Sequence, residues 1–483
     1  MESRNTNTWQ LVDKTTVFIY IILIVWGWLS IYAASYNYDN ISMFNFDGRA
    51  GKQLVWMGCA IVIIFAIMMT DSRVLETWAY PFYTFMMFIL ALTIFIAPNI
   101  KGSHSWIVIG PISIQPAEFA KFAVALGLAR FMSTYNFVLL KSGNFIKTLA
   151  IIAIPVMLII LQKETGTALV YLSLAFVLYR EGMSGMVLLA WLGSVTYFVL
   201  SLKFSSLFWG ITPAGETIVL ILILIVQIIM IVQLYRRSGA FRTMLYMALG
   251  VMTIGGIISI FIKINWVYVM YVALAANSLY ALILTIKENN LRILRPVAVA
   301  LASVAFLFSV NYIFTEVLEP HQQVRIRVAF GMEDDPRGAG YNVNQSKIAI
   351  GSGGFLGKGF LAGTQTKLKY VPEQDTDFIF CTIGEEMGFV GSTAVIMLFV
   401  ILIFRIISIS ERQEDTFGRV YGYCVASIFI FHLIINVGMV LGLCPVIGIP
   451  LPFFSYGGSS LWGFTILLFS LLKIDIGRLE RYR

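Results

Sequence analysis

Runs of about 20 apolar residues recur along the whole of this chain, each long enough to cross roughly 30 Å of hydrocarbon. Nothing else in the sequence constrains the fold as strongly. A segment crossing a bilayer must satisfy its backbone hydrogen bonds internally, so the runs read as helices. They fall near 16–36, 52–70, 77–98, 116–135, 147–162, 166–182, 185–203, 216–234, 241–262, 266–286, 296–315, 389–407, 420–441 and 453–472. The expected fold is therefore an all-α polytopic membrane protein with about 14 transmembrane helices. Composition agrees: 59% of the 483 residues are hydrophobic and 12% are charged, against about 25% charged in a soluble domain. The fifth and sixth runs are short, and Gln162 to Thr167 between them reads as a break within the membrane.

The net charge of +8 does not point to nucleic acid, because the basic residues sit singly at the ends of apolar runs and form no patch. They report topology instead. With the N-terminus inside, 20 of the 27 Lys and Arg outside the largest loop fall on the inner side. The inverted arrangement reverses that ratio, so both termini are expected to be cytoplasmic. The first run is long enough to span and follows a polar start, Met1 to Thr15, so no cleavable signal peptide is expected. The four cysteines lie in or beside apolar runs at spacings that fit neither zinc nor a disulfide framework, and the three histidines are far apart. No GxxxxGK[ST] segment is present.

This orientation places the one long polar segment, 316–387, on the outer face. A loop of that length is functional or disordered, and its Gly, Tyr, Phe and Ile content argues for order. Asp377 stands where the polar segment gives way to an apolar run. Desolvation there would make it a better base near neutral pH, while an N-cap is the structural alternative for Thr376 or Asp377. Arg325 and Arg327 flank one residue, so an extended backbone would point both guanidinium groups to one side. Two such groups can clamp a diphosphate or bind lipid headgroups.

Within the apolar runs, Glu118 and Lys121 are three apart and can pair on a helix. A charge at mid-bilayer costs about 2.5–3.5 kcal/mol, so they read as functional candidates or as a buried structural pair. Glu164 is similar and sits at the suspected break. His432 and Asn436, four apart, read as an interhelical hydrogen-bonding pair. Trp106, in a short outward loop, is an interface anchor or a stacking platform for a sugar.

Taken together these residues resemble the SEDS family, that of RodA and FtsW. The resemblance rests on Trp106-Ile107, on Gln115-Pro116-Ala117-Glu118-Phe119-Ala120-Lys121, and on the outer loop from Arg325 through Gly338-Ala339-Gly340-Tyr341, Gly351-Ser352-Gly353-Gly354 and Thr376-Asp377-Phe378-Ile379-Phe380. It extends to the tail, Gly448-Ile449-Pro450-Leu451-Pro452-Phe453 and Ser455-Tyr456-Gly457-Gly458-Ser459-Ser460. It covers about residues 10–183 and 296–483, and Gly363-Thr364-Gln365 followed by Leu368 looks more like the elongation branch than the division branch. The resemblance implies a peptidoglycan glycosyltransferase of the bacterial inner membrane. Its substrate would be lipid II, the undecaprenyl-diphosphate-linked disaccharide-peptide. Its partners would be a class B penicillin-binding transpeptidase and other elongation-complex membrane proteins. Asp377 falls on the family's essential aspartate. Arg325, Arg327, Lys358 and Lys367 become candidates for the diphosphate, with Trp106, Glu118, Lys121, Glu164, Glu373 and Ser459 as further substrate-side residues. A divalent cation, Mg or Mn, held by Asp375 and Asp377, could share the work. A lipid II flippase, a division-type relative and a non-catalytic scaffold are the alternatives.

The chain departs from the family in three places. It has fourteen runs where the family core has ten, and the excess of four lies in about 185–290. Lys163-Glu164 replaces the usual Pro-Asp, and Asp375 stands where His is common. The expected divisions are an N-terminal core segment over 1–183, inserted helices over 184–295, a core helix over 296–315, the outer loop over 316–387 and a C-terminal core segment over 388–483.

Overall fold

A computed structural model describes residues 11–36, 43–100, 102–110, 112–205, 207–234, 238–318, 323–324, 327 and 339–481. Twelve of its helices are long and apolar enough to cross a membrane. The two remaining expected spans are present as shorter elements. One is the helix Pro116–Met132, opened by Pro116 in its first turn, where the missing N–H leaves no intrahelical bond unmade. The other is the apolar stretch Thr165–Arg180, interrupted by a 3₁₀ turn at Tyr171–Leu174. The break expected around Gln162 is there: one helix ends at Leu161, Lys163 takes φ +62, and the next helix starts at Thr165.

The chain divides into two compact units. The first comprises Met1–Gly185 and Pro336–Arg483, the second Met186–Asp335. The helix Arg295–Tyr312 was expected with the core but groups with the second unit, because Val297, Ala300 and Leu307 bury themselves among Val219, Leu220, Ile223 and Met270 in one apolar cluster. Between membrane helices such grouping reflects close van der Waals packing of these side chains.

In the first unit, charged residues at one end form a network. Asp13 caps the helix Lys14–Ser35 and pairs with Arg405; Arg412 reaches both Asp13 and Asp475; Arg419 binds Glu181 at 3.0 Å and Arg180 binds Glu411 at 3.0 Å. Asp13 and Asp475 thus meet through Arg412 at one end of the unit. The helix Ile379–Glu411 carries the chain from there to the opposite end, where Asp377 lies.

Candidate active site

Asp377 ends a run of turns, 372–378, ahead of the helix Ile379–Glu411. Glu373, at φ +53, accepts on its carbonyl from Thr376 N at 3.2 Å and Phe378 N at 3.1 Å, which closes the turn. The N-cap position falls on Phe378, with no side-chain cap, so the capping alternative for Thr376 or Asp377 is not what the fold uses. Asp377 itself is half-buried, next to buried Phe378. Its backbone is fixed from behind. The fully buried Asn436, on the helix Thr416–Val440, donates from Nδ2 to the Asp377 carbonyl at 2.9 Å and to the Ile449 carbonyl at 2.8 Å. A methyl group placed on Gly448, which sits at φ +75, would stand 3.4 Å from Asp377 Oδ2. The carboxylate therefore lies against this glycine.

The segment Ile447–Pro450 links most of the other polar residues of the core. A Cβ on Gly166, just after the helix break, would fall 2.4 Å from the Ile447 carbonyl, so only glycine lets the break pack here. The Pro450 carbonyl accepts from His432 Nδ1 at 3.0 Å. With that nitrogen donating, His432 Nε2 is left to accept from Lys121 Nζ at 3.2 Å. Lys121 also binds Glu118 at 2.9 Å and lies 4.4 Å from the centre of the Phe464 ring. Glu118 and Lys121 are 3% and 1% exposed. The structural-pair alternative accounts for them. His432 makes the interhelical hydrogen bond expected of it, to Lys121, and both His432 and Asn436 also bind the loop.

Glu164 accepts from Ser105 Oγ at 2.8 Å, which ties the break to the loop that carries half-buried Trp106. Ser459 is also buried. Its Oγ accepts from Gln115 N at 3.1 Å and holds the start of Pro116–Met132, so a substrate contact is corrected to a structural one. Lys358 changes role in the same way. It binds Glu385 Oε1 at 2.7 Å and Thr364 Oγ1 at 2.8 Å, and its charge is spent on a fully buried carboxylate. Glu385 further accepts from the backbone of Thr364, Gln365 and Thr366 at 2.8–2.9 Å. Immediately beyond, Gly388 breaks the helix at φ +63 and ψ −157. The carbonyls of Glu385 and Glu386, freed by the break, accept from Lys358 N and Gly359 N.

Lys367 lies half-buried, 5.0 Å from the centre of the Tyr36 ring. Glu373 is exposed. Arg327 belongs to the second unit, bonded to Gln323 Oε1 at 3.1 Å and packed over Phe314. Arg325 lies outside the described residues.

Asp375 is 4% exposed and pairs with Arg49, at the start of the helix Arg49–Met69. Arg49 also lies over the Tyr456 ring, and Tyr456 N donates to the Asp375 carbonyl at 2.8 Å. Nothing in the sequence singles out Arg49 from the other outer basic residues. With Asp375 neutralised in this way, and no group of three His, Cys, Asp or Glu among the described residues, the donors do not fit a cation held by protein alone.

Comparison with known proteins places the chain in a family. The pattern of the FtsW, RodA and SpoVE family, described as cell cycle protein, matches residues 14–210 and 264–478. The unmatched stretch, 211–263, holds two helices, Ala214–Leu234 and Ser238–Phe261, and is narrower than the four-helix excess expected over 185–290. The chain is 30% identical to the peptidoglycan glycosyltransferase RodA of Treponema pallidum, over 89% of this chain and 90% of that one. It is 29% identical to the peptidoglycan glycosyltransferase MrdB of Escherichia coli K12, over 93% and 90%. Among solved structures, the rod shape determining protein RodA of Thermus thermophilus superposes with a TM-score of 0.54 at 19% identity, over 98% of each chain. A chain of a peptidoglycan synthase complex that coordinates polymerization and crosslinking superposes with a TM-score of 0.60 at 21% identity, over 98% and 99%. This chain belongs to the FtsW, RodA and SpoVE family.

Proposed function

We propose that this protein is a peptidoglycan glycosyltransferase that polymerises lipid II for cell elongation, with Asp377 as its general base. The observation that carries the reading is the placement of Asp377: half-buried at the outer end of a membrane helix, its main chain clamped by Asn436 and its carboxylate beside Gly448. A base fixed in place and partly withdrawn from water can take a proton at little reorganisation cost.

Asp377 takes the proton of the acceptor GlcNAc 4-hydroxyl as that oxygen bonds to C1 of the donor MurNAc. The bond from C1 to the diphosphate oxygen breaks, and its electron pair leaves with undecaprenyl diphosphate. Positive charge must meet the developing anion. Lys367 is the candidate in the first unit, and Arg325 and Arg327 are those from the outer loop. Lys358 is not among them, because Glu385 already engages it.

The setting follows from the same reading. The protein works in the bacterial inner membrane with both termini in the cytoplasm, and hands nascent glycan to a class B penicillin-binding transpeptidase. The test is the purified protein in proteoliposomes, with and without that partner, given labelled lipid II. Glycan chains are the expected product. Transbilayer movement of lipid II without polymer would replace this reading with that of a flippase.

A further inference from the structure

The loop behind Asp377 is held at adjacent carbonyls by one face of the helix Thr416–Val440. Asn436 donates to Ile449 at 2.8 Å and to Asp377 at 2.9 Å, and His432 donates from Nδ1 to Pro450 at 3.0 Å. Residues four apart are neighbours on a helix surface, so the two side chains grip consecutive residues of the loop together. Gly448, which sits against Asp377 Oδ2, immediately precedes Ile449. Asn436 therefore binds the Asp377 turn directly, and His432 reaches it through Pro450 and the two residues before it.

Two neighbours select the same form of the His432 ring. A carbonyl oxygen only accepts, so Nδ1 must carry the proton to bind Pro450. A lysine ammonium only donates, so Nε2 must be bare to bind Lys121 Nζ at 3.2 Å. The ring has little freedom to turn. His432 is buried and stands edge-on to Phe464 at 4.7 Å and 89°, and the same Phe464 ring lies 4.4 Å from Lys121 Nζ. Glu118 Oε2 also holds the ammonium, at 2.9 Å. With the proton moved to Nε2, donor would face donor at Lys121 and acceptor would face acceptor at Pro450. Both contacts fail together, so the tautomer and the position of the loop are one choice.

We propose that His432 is a positioning residue for Asp377: the Lys121 ammonium locks it in the Nδ1–H form, and in that form it fixes the Pro450 carbonyl and the Gly448 backbone against which the carboxylate rests. The inference rests on the reading of Asp377 as the base. It adds the means by which the buried Glu118–Lys121 pair bears on that base, through a relay of hydrogen bonds between residues far apart in sequence.

The test reads the tautomer and the rate separately. Full-length protein labelled with 15N-histidine is reconstituted in lipid vesicles, and its imidazole nitrogens are followed by solid-state NMR. His432→Gln identifies the His432 signals among those of the three histidines. A proton on Nδ1 and a bare Nε2 are expected. Lys121→Met, made together with Glu118→Gln so that no carboxylate is left unpaired, is expected to populate the Nε2–H form. In polymerisation of labelled lipid II, His432→Phe keeps a ring against Phe464 and loses both hydrogen bonds. It is expected to lower kcat by about 10²-fold with KM little changed. His432→Gln, whose amide can donate to Pro450 and accept from Lys121, is expected to recover most of that loss. A proton on Nε2 in the unsubstituted protein would overturn the inference, and so would a tautomer unmoved in the double variant. A His432→Phe protein as active as the unsubstituted one, or more active than His432→Gln, would show that the side chain only fills space and would overturn it as well. An unsubstituted protein that makes no polymer would overturn the glycosyltransferase reading instead, while the tautomer, read without substrate, still decides the lock.

Discussion

Asp375 is a charge that the turn around Asp377 can bury only because Arg49 stands beside it. An unpaired buried carboxylate costs far more than the pair is worth. Arg49 is 51% exposed, so the penalty is smaller than in a sealed core. Arg49→Ala is expected to destabilise the protein by about 1–3 kcal/mol and to lower polymerisation through the displaced turn. Asp375→Asn in the same chain should recover most of both losses, because no charge is then left behind. Melting and glycan synthesis of the two single variants and the double variant check this, and losses that simply add would contradict the pairing. This pair also shows what was illegible at the residue scale. Asp377 announced itself by standing where charge meets an apolar run. Arg49 is 326 residues away from its partner in sequence, and nothing local to either residue predicts their meeting.

The helix Ile379–Glu411 was legible from 389 onward and missed in its first turns, beside Asp377. The sequence placed the end of the loop at 387 and a span from 389, and Gly388 is the break between them. What it did not yield is why the first two turns stay helical outside the span. Glu385 supplies the reason. It gathers the backbone of Thr364, Gln365 and Thr366 together with Lys358, so the loop and the helix start are one unit. Glu385 and Glu386 were visible as charges ahead of an apolar run, but a carboxylate that accepts from consecutive backbone amides leaves no periodic signature. Glu385→Ala removes one partner of a buried ion pair, which is expected to cost about 3–5 kcal/mol. Amide exchange at Thr364, Gln365 and Thr366 should quicken. Unchanged protection of those amides would show that the loop is held by something else.

At the scale of the whole chain, the class of fold was legible because it follows from counting apolar runs. The division into units was not, since the assignment of the helix Arg295–Tyr312 depends on which side chains it buries. The orientation itself has a direct check. Lys369→Cys is expected to react with a membrane-impermeant thiol reagent added outside the cell. Glu414→Cys, exposed beside the inner charge network, should react only after permeabilisation, with the unsubstituted chain as the blank. Labelling of Glu414→Cys in intact cells would invert the topology and remove Asp377 from the face where lipid-linked wall precursors are used. If the topology holds, the chemistry converges on one carboxylate. The decisive measurement is the amount of glycan made from lipid II by the purified chain and its transpeptidase partner, with Asp377→Asn set beside the unsubstituted protein. Polymerisation is expected to fall by about 10²–10⁴-fold with the melting temperature and partner binding preserved. Polymer made at an undiminished rate by the folded variant would contradict the assignment of Asp377 as the base.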